Sequence, residues 1–124
     1  ITFEDTSGND FMTITDIGNY GNVAITGSLQ VGGGTVTTKH LSTTGTVGNG
    51  GSNINANSCI TDAITVSGLV TGSSVYLGPP SDLEASLIGF GLASSGSVTV
   101  RLCNPTAGAL ASADKTWRVD AWEH

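Results

Sequence analysis

The chain has 124 residues and a net charge of −6, and only 11% of its residues are charged and 6% aromatic. With four Lys and Arg in all, it lacks the cationic side chains that displace counterions from nucleic acid, so nucleic-acid binding is disfavoured. No apolar run approaches the roughly 20 residues that cross a bilayer as a helix, which argues against membrane insertion.

Gly, Asn, Ser and Thr are abundant, but Val, Ile and Thr recur with only three Pro, which favours short strands joined by tight turns over disorder. The first 38 residues hold Glu4, Asp5, Asp10 and Asp16 and no basic residue. They read as a solvated acidic surface or, failing that, as a docking face for a basic partner. Neither a signal peptide nor an initiating Met opens the chain, so it reads as a fragment or a processed product.

In chain order, Phe11 to Ile14 is a short apolar piece. Val23, Ile25, Leu29 and Val31 then fall at even spacing with Gly27 in the missing place, the alternation of a strand buried on one face. One such strand has nothing of its own to cover the stripe. Copies of itself from other chains are the simplest cover, and a fibrous homotrimer is expected. Thr35 to Leu41 is a third piece. The run Gly48 to Asn53 reads as a flexible linker, so three segments are expected: an extended shaft or arm over 1–48, a linker over 49–56 and a small β-sandwich knob over 57–124.

In the knob, Ile60, Asp62, Ile64 and Val66 alternate with Cys59, Thr61, Ala63 and Thr65. Val75 to Leu77 is a strand stopped by Gly78-Pro79-Pro80, and Leu83 to Leu92 reads as one helical turn followed by a strand. Val98, Val100 and Leu102 face away from Thr99, Arg101 and Cys103. Trp117, Val119 and Ala121 likewise oppose Arg118, Asp120 and Trp122. Strands at this spacing predict an all-β, antiparallel, jelly-roll-like sandwich, with a core on Ile64, Val66, Val98, Val100 and Trp117. A domain this small is marginal alone, so cross-linking or oligomerisation would help it.

Chemistry-bearing residues are few. Cys59 and Cys103 would meet if their strands are antiparallel neighbours, and the bond would then contribute roughly 4 kcal/mol. Two buried free thiols are the other reading. Arg101 and Arg118 sit mid-strand, where a buried charge is costly unless paired; Asp62, Asp114 and Asp120 are candidate partners. Tyr76 and Trp122 are candidate ligand or interface aromatics. No zinc or calcium spacing occurs, and His40 and His124 read as isolated, so no metal or other cofactor is expected. Asp82 with Glu84, or Asp120 with Glu123, are the carboxylate pairs a glycosidase reading would use. Neither has flanking aromatic platforms. No nucleophile elbow or phosphate loop is present, and the chain is expected not to be an enzyme.

Ser58-Cys59, Ile64-Thr65-Val66-Ser67-Gly68, Val75-Tyr76-Leu77-Gly78-Pro79-Pro80, Ser97 to Asn104 and Trp117-Arg118-Val119 follow one another in that order along the chain. In that pattern the second half resembles a small β domain at the C-terminal ends of many phage and phage-like virion proteins. The run Asn22 to Gly33 is similar to the shaft repeats of phage tail and head fibres. The resemblance implies a trimer with a β shaft and a terminal knob, a place on the virion surface, and capsid or tail proteins as neighbours. It also implies a structural or attachment role, with host-surface glycan as the target. A capsid decoration or cement protein that stabilises the shell is the alternative expectation. A bacterial adhesin or carbohydrate-binding module is the third.

Overall fold

Alternation in the second half of the chain places every other side chain on one side of its strand, and two such surfaces close on each other. A computed structural model describes residues 2–4, 10–16, 21–24, 27–30 and 32–124, with side chains over 27–30 and 32–124. Among these residues the protein is all-β, with strands and turns and no helix. It forms two compact units, Ile1–Lys39 with His124, and His40–Glu123.

In the first unit, β1 (Thr2–Glu4), β2 (Asp10–Asp16) and β3 (Gly21–Ala24) make an antiparallel sheet in that order. The strand expected to run unbroken from Val23 to Val31 is not continuous: β3 ends at Ala24, and Gly27 turns with φ +114°. A strand does not use that region of backbone space, and glycine reaches it without a Cβ penalty. Leu29 instead exchanges two 2.8 Å backbone hydrogen bonds with Thr37 around a turn at Gly32 and Gly33. Its side chain is 46% exposed. Of the expected trimer stripe, the Val23 side chain, Ile25 and Val31 lie outside the described residues.

The second unit holds β4 (Lys39–Val47) from His40 onward, β5 (Asn53–Ile54), β6 (Ser58–Thr65) and β7 (Ser74–Gly78). They are followed by β8 (Ile88–Ser94), β9 (Ser97–Asn104), β10 (Leu110–Ala111) and β11 (Lys115–Glu123). Two sheets, ordered β4-β11-β7 and β6-β9-β8, face each other, and β5 pairs with β10. The pairs β4–β11, β5–β10 and β6–β9 are nested around the two strands β7 and β8. That is the roll-up of a jelly roll, with its innermost pair divided between the two sheets.

The inner faces meet closely. A Cβ on Gly89 of β8 would lie 2.5 Å from the Trp117 ring on β11, and one on Gly91 would lie 3.1 Å from Leu77 and Val75 of β7. Glycine at these two places lets β8 lie directly on the opposite sheet. Ile64, Val66, Val98, Val100 and Trp117 are buried there with Val47, Ile54, Leu69, Leu87, Leu102, Val119 and Ala121.

Two readings of the sequence are corrected here. The segment 49–56 belongs to the second unit and is not a linker, and the unit begins at His40, not at 57. Its backbone is tied down: the amides of Asn49 and Gly51 donate to the Ser112 carbonyl, the Ser112 amide donates to Ser52, and β5 buries Ile54. Glycine-rich composition signals conformational freedom only when nothing else claims the backbone groups. The helical turn expected after Leu83 is also absent. The amides of Leu83 and Leu87 donate to the Pro80 and Glu84 carbonyls, three residues back, as two successive turns.

Candidate functional site

The outer face of the β4-β11-β7 sheet gathers a connected set of polar and aromatic groups. Residues at i and i+2 on a strand share a face, so Arg118, Asp120 and Trp122 line up along β11, as do His40 and Ser42 along β4. Register places Tyr76 of β7 directly opposite Asp120, and Ser74 opposite Trp122.

Asp120 is the hub. Arg118 donates to it from Nε at 2.9 Å and from Nη2 at 3.5 Å, and His40 Nε2 lies 3.2 Å from its Oδ1. Arg118 Nη2 also donates to Ser42 Oγ at 3.1 Å. The Arg118 guanidinium, then Ser42 and His40, hold the Asp120 carboxyl below its ordinary value, and the carboxylate in turn raises Arg118. The His40 ring stacks on Trp122 with centroids 5.0 Å apart. Tyr76 projects beside this network and is 61% exposed.

Serine, histidine and aspartate meet here, but not as a nucleophile relay. A relay needs the imidazole between the carboxylate and the hydroxyl, so that it can take the hydroxyl proton. Here the carboxylate holds the centre, and Ser42 accepts from a guanidinium. The charges are matched, the donors and acceptors are oriented, and an aromatic ring stands free at the edge. Such an arrangement can present hydrogen-bonding groups and a stacking surface to a polar ligand.

The other sequence-derived sites lie elsewhere. Arg101 does not pair with Asp62. It sits exposed on the outer face of β9 opposite Thr61 and Phe90, and has no ion-pair partner among the described residues. Asp62 points to the inner side, where its carboxylate accepts from the Gly48 amide at 3.4 Å and from the Ala63 amide at 2.8 Å. Asp114 accepts from the Gly50 amide at 2.7 Å.

Asp82 and Glu84 hold Lys115, whose Nζ lies 3.3 and 3.6 Å from their carboxylates and donates to the Asp82 carbonyl. Burial, which alone would raise Glu84, is outweighed by hydrogen bonds from the Ala113 amide and its own amide and by Lys115, so its carboxyl lies below the ordinary value. Lys115 therefore bridges the two carboxylates.

Cys59 and Cys103 form a disulfide between register partners of β6 and β9. Trp117 is buried in the core, whereas Trp122, five residues on, lies on the outer face. No group of three or more His, Cys, Asp or Glu side chains among the described residues is placed to hold a metal ion.

Sequence reasoning missed Ser42 and the roles of His40 and Asn104. His40 and Asp120 are 80 residues apart in the chain, and no local spacing links them. Asn104 did carry a signal, since it continues the inward alternation of Val98, Val100 and Leu102 with a polar side chain. It is fully buried, donates to the carbonyls of Ile54 at 2.9 Å and Gly108 at 2.7 Å, and accepts from the Thr106 amide and hydroxyl.

No protein family matches the chain, and no curated protein or solved structure does so either.

Proposed function

We propose that this chain is a non-enzymatic attachment protein of a phage virion, a fibre component whose sandwich unit holds host-surface glycan on the outer face of the β4-β11-β7 sheet. The observation that carries the reading is the placement of Tyr76 beside the Asp120–Arg118–His40 network. A sugar ring offers one apolar C–H face and a rim of hydroxyls. An exposed aromatic ring meets the first, and fixed carboxylate, guanidinium, imidazole and hydroxyl groups meet the second.

The internal pairing of Arg118 with Asp120 leaves the network without a net excess of charge, which suits neutral sugars over anionic ones. An open sheet face gives shallow contact and weak affinity for one sugar. Attachment proteins overcome this by presenting several copies at once, so that effective concentration does the rest.

The test is binding of the purified protein to arrayed bacterial surface polysaccharides and lipopolysaccharide O-chains. Tyr76→Ala should weaken binding to any positive glycan by about tenfold, the scale of a lost aromatic contact, without lowering the melting temperature. Undiminished binding by Tyr76→Ala would remove this face from the reading. A protein that ignores every glycan but coats capsids stripped of it would support the decoration role instead.

A further inference from the structure

We infer that two copies of this chain associate through the open edge of β8, by antiparallel pairing about a two-fold axis at Phe90. β8 is the outermost strand of the β6-β9-β8 sheet. An edge strand leaves alternate backbone N–H and C=O groups free to pair, and proteins that must stay single guard such edges with charges, prolines or bulges. β8 has none of these: Ile88-Gly89-Phe90-Gly91-Leu92-Ala93-Ser94 contains no charge and no proline, and its register with β9 runs without a shift. Its outward side chains are instead large and apolar, with Ile88 56%, Phe90 44% and Leu92 51% exposed.

The sequence of this edge fits a second copy of itself. Ile88-Gly89-Phe90-Gly91-Leu92 reads nearly the same in both directions. Antiparallel pairing centred on Phe90 therefore sets each Ile88 against Leu92 of the partner subunit, and each Gly89 against Gly91 of the partner subunit. Matched residues in an antiparallel pair share a face, so the two apolar stripes would merge into one. The Phe90 side chains would sit side by side at the axis. Each lies opposite Arg101 in the register with β9.

Charge points to the same surface. The chain carries −6 overall, so two copies repel wherever their charged faces approach. No charged residue occurs from Ala63 to Ser81 or from Ala85 to Val100. These stretches supply both β7 and β8, the open-edge strands that contact each other on one side of the sandwich. That side is where two acidic copies can meet without opposing charge. Pairing over the five residues Ile88 to Leu92 of the strand, with three half-exposed side chains on each copy, gives a contact at the small end of specific interfaces. Micromolar affinity is the expectation. The two-fold closes the contact on itself, so it yields dimers and not open filaments.

Sedimentation velocity on the full chain from roughly 1 to 200 μM, the range that brackets such an affinity, tests the pairing. The wild type should shift from monomer to dimer. Phe90→Lys should raise the dissociation constant by about 100-fold or more, as an edge charge opposes pairing, and keep the melting temperature within about 2 °C, as outer-face substitutions usually do. Mild oxidation of Phe90→Cys should give a covalent dimer on a non-reducing gel, while Tyr76→Cys should not. A wild type that stays monomeric throughout would overturn the inference. So would a dimer or trimer whose mass Phe90→Lys leaves unchanged.

Discussion

Removing the Cys59–Cys103 bond should destabilise the second unit by about 4 kcal/mol, and nearly all of that should act through the unfolded chain. The bond spans 44 residues. Chain-entropy arithmetic for a loop of that size gives roughly 13 cal/mol/K, or about 4 kcal/mol at 25 °C. The folded state itself loses little. Cys59 is exposed and Cys103 half-buried on the outer face of the sheet, so replacing both with Ser empties no core volume. The flanking pairs Ser58–Asn104 and Ile60–Leu102 keep the ladder in register. A small domain has roughly 0.05–0.15 kcal/mol of stability per residue, so the loss would bring this unit close to the edge of folding.

The assay is guanidinium unfolding of the double variant Cys59→Ser, Cys103→Ser against the oxidised parent. The midpoint should fall by about 1.3–2 M with an m-value near 2–3 kcal/mol/M. A loss below about 1 kcal/mol would refute the reasoning, since it would mean that the loop closed by the bond is already constrained in the unfolded chain.

Val100→Asp should unfold the second unit outright, because Val100 is fully buried and an unpaired carboxylate there costs several kcal/mol; circular dichroism at 25 °C would detect it. Asn104→Leu should cost about 2–4 kcal/mol by stranding the Ile54 and Gly108 carbonyls and the Thr106 amide, read as a fall in denaturation midpoint. Asp120 has a carboxyl held below its ordinary value of 3.8 by Arg118, Ser42 and His40. Its contribution to stability is therefore complete above pH 3.8 and lost as the pH falls through its lower folded value. Melting temperature against pH should show that loss in the parent and less of it in Asp120→Asn.

What the sequence determined by itself was which way side chains face. The alternations Val98-Val100-Leu102 and Trp117-Val119-Ala121 were legible because a strand has a period of two and only one of its faces meets the core. The same period separates buried Trp117 from surface Trp122. Absence of a helix among the described residues followed from the lack of any 3.6-residue pattern, except after Leu83, where two consecutive turns resemble a helical start over a few residues.

Which strand lies beside which was not legible. β6 finds β9, and β4 finds β11, across most of the unit, and short strands of similar pattern allow many such matches. The partners of the charged residues depended on those matches. Arg118 met Asp120 through a spacing of two on one strand, whereas Arg101 faced Thr61 and Phe90 and left Asp62 to backbone amides. The tie between His40, Ser42 and Asp120 exists only because β4 lies beside β11. The segment 49–56 was read from its glycines as free chain, yet Ser112, Asp114 and Asn104, all distant in sequence, bind its backbone. Local preference is written residue by residue along a chain. Pairing is decided by which distant groups can bury one another's apolar surface and satisfy one another's hydrogen bonds, and that is a property of the packed unit.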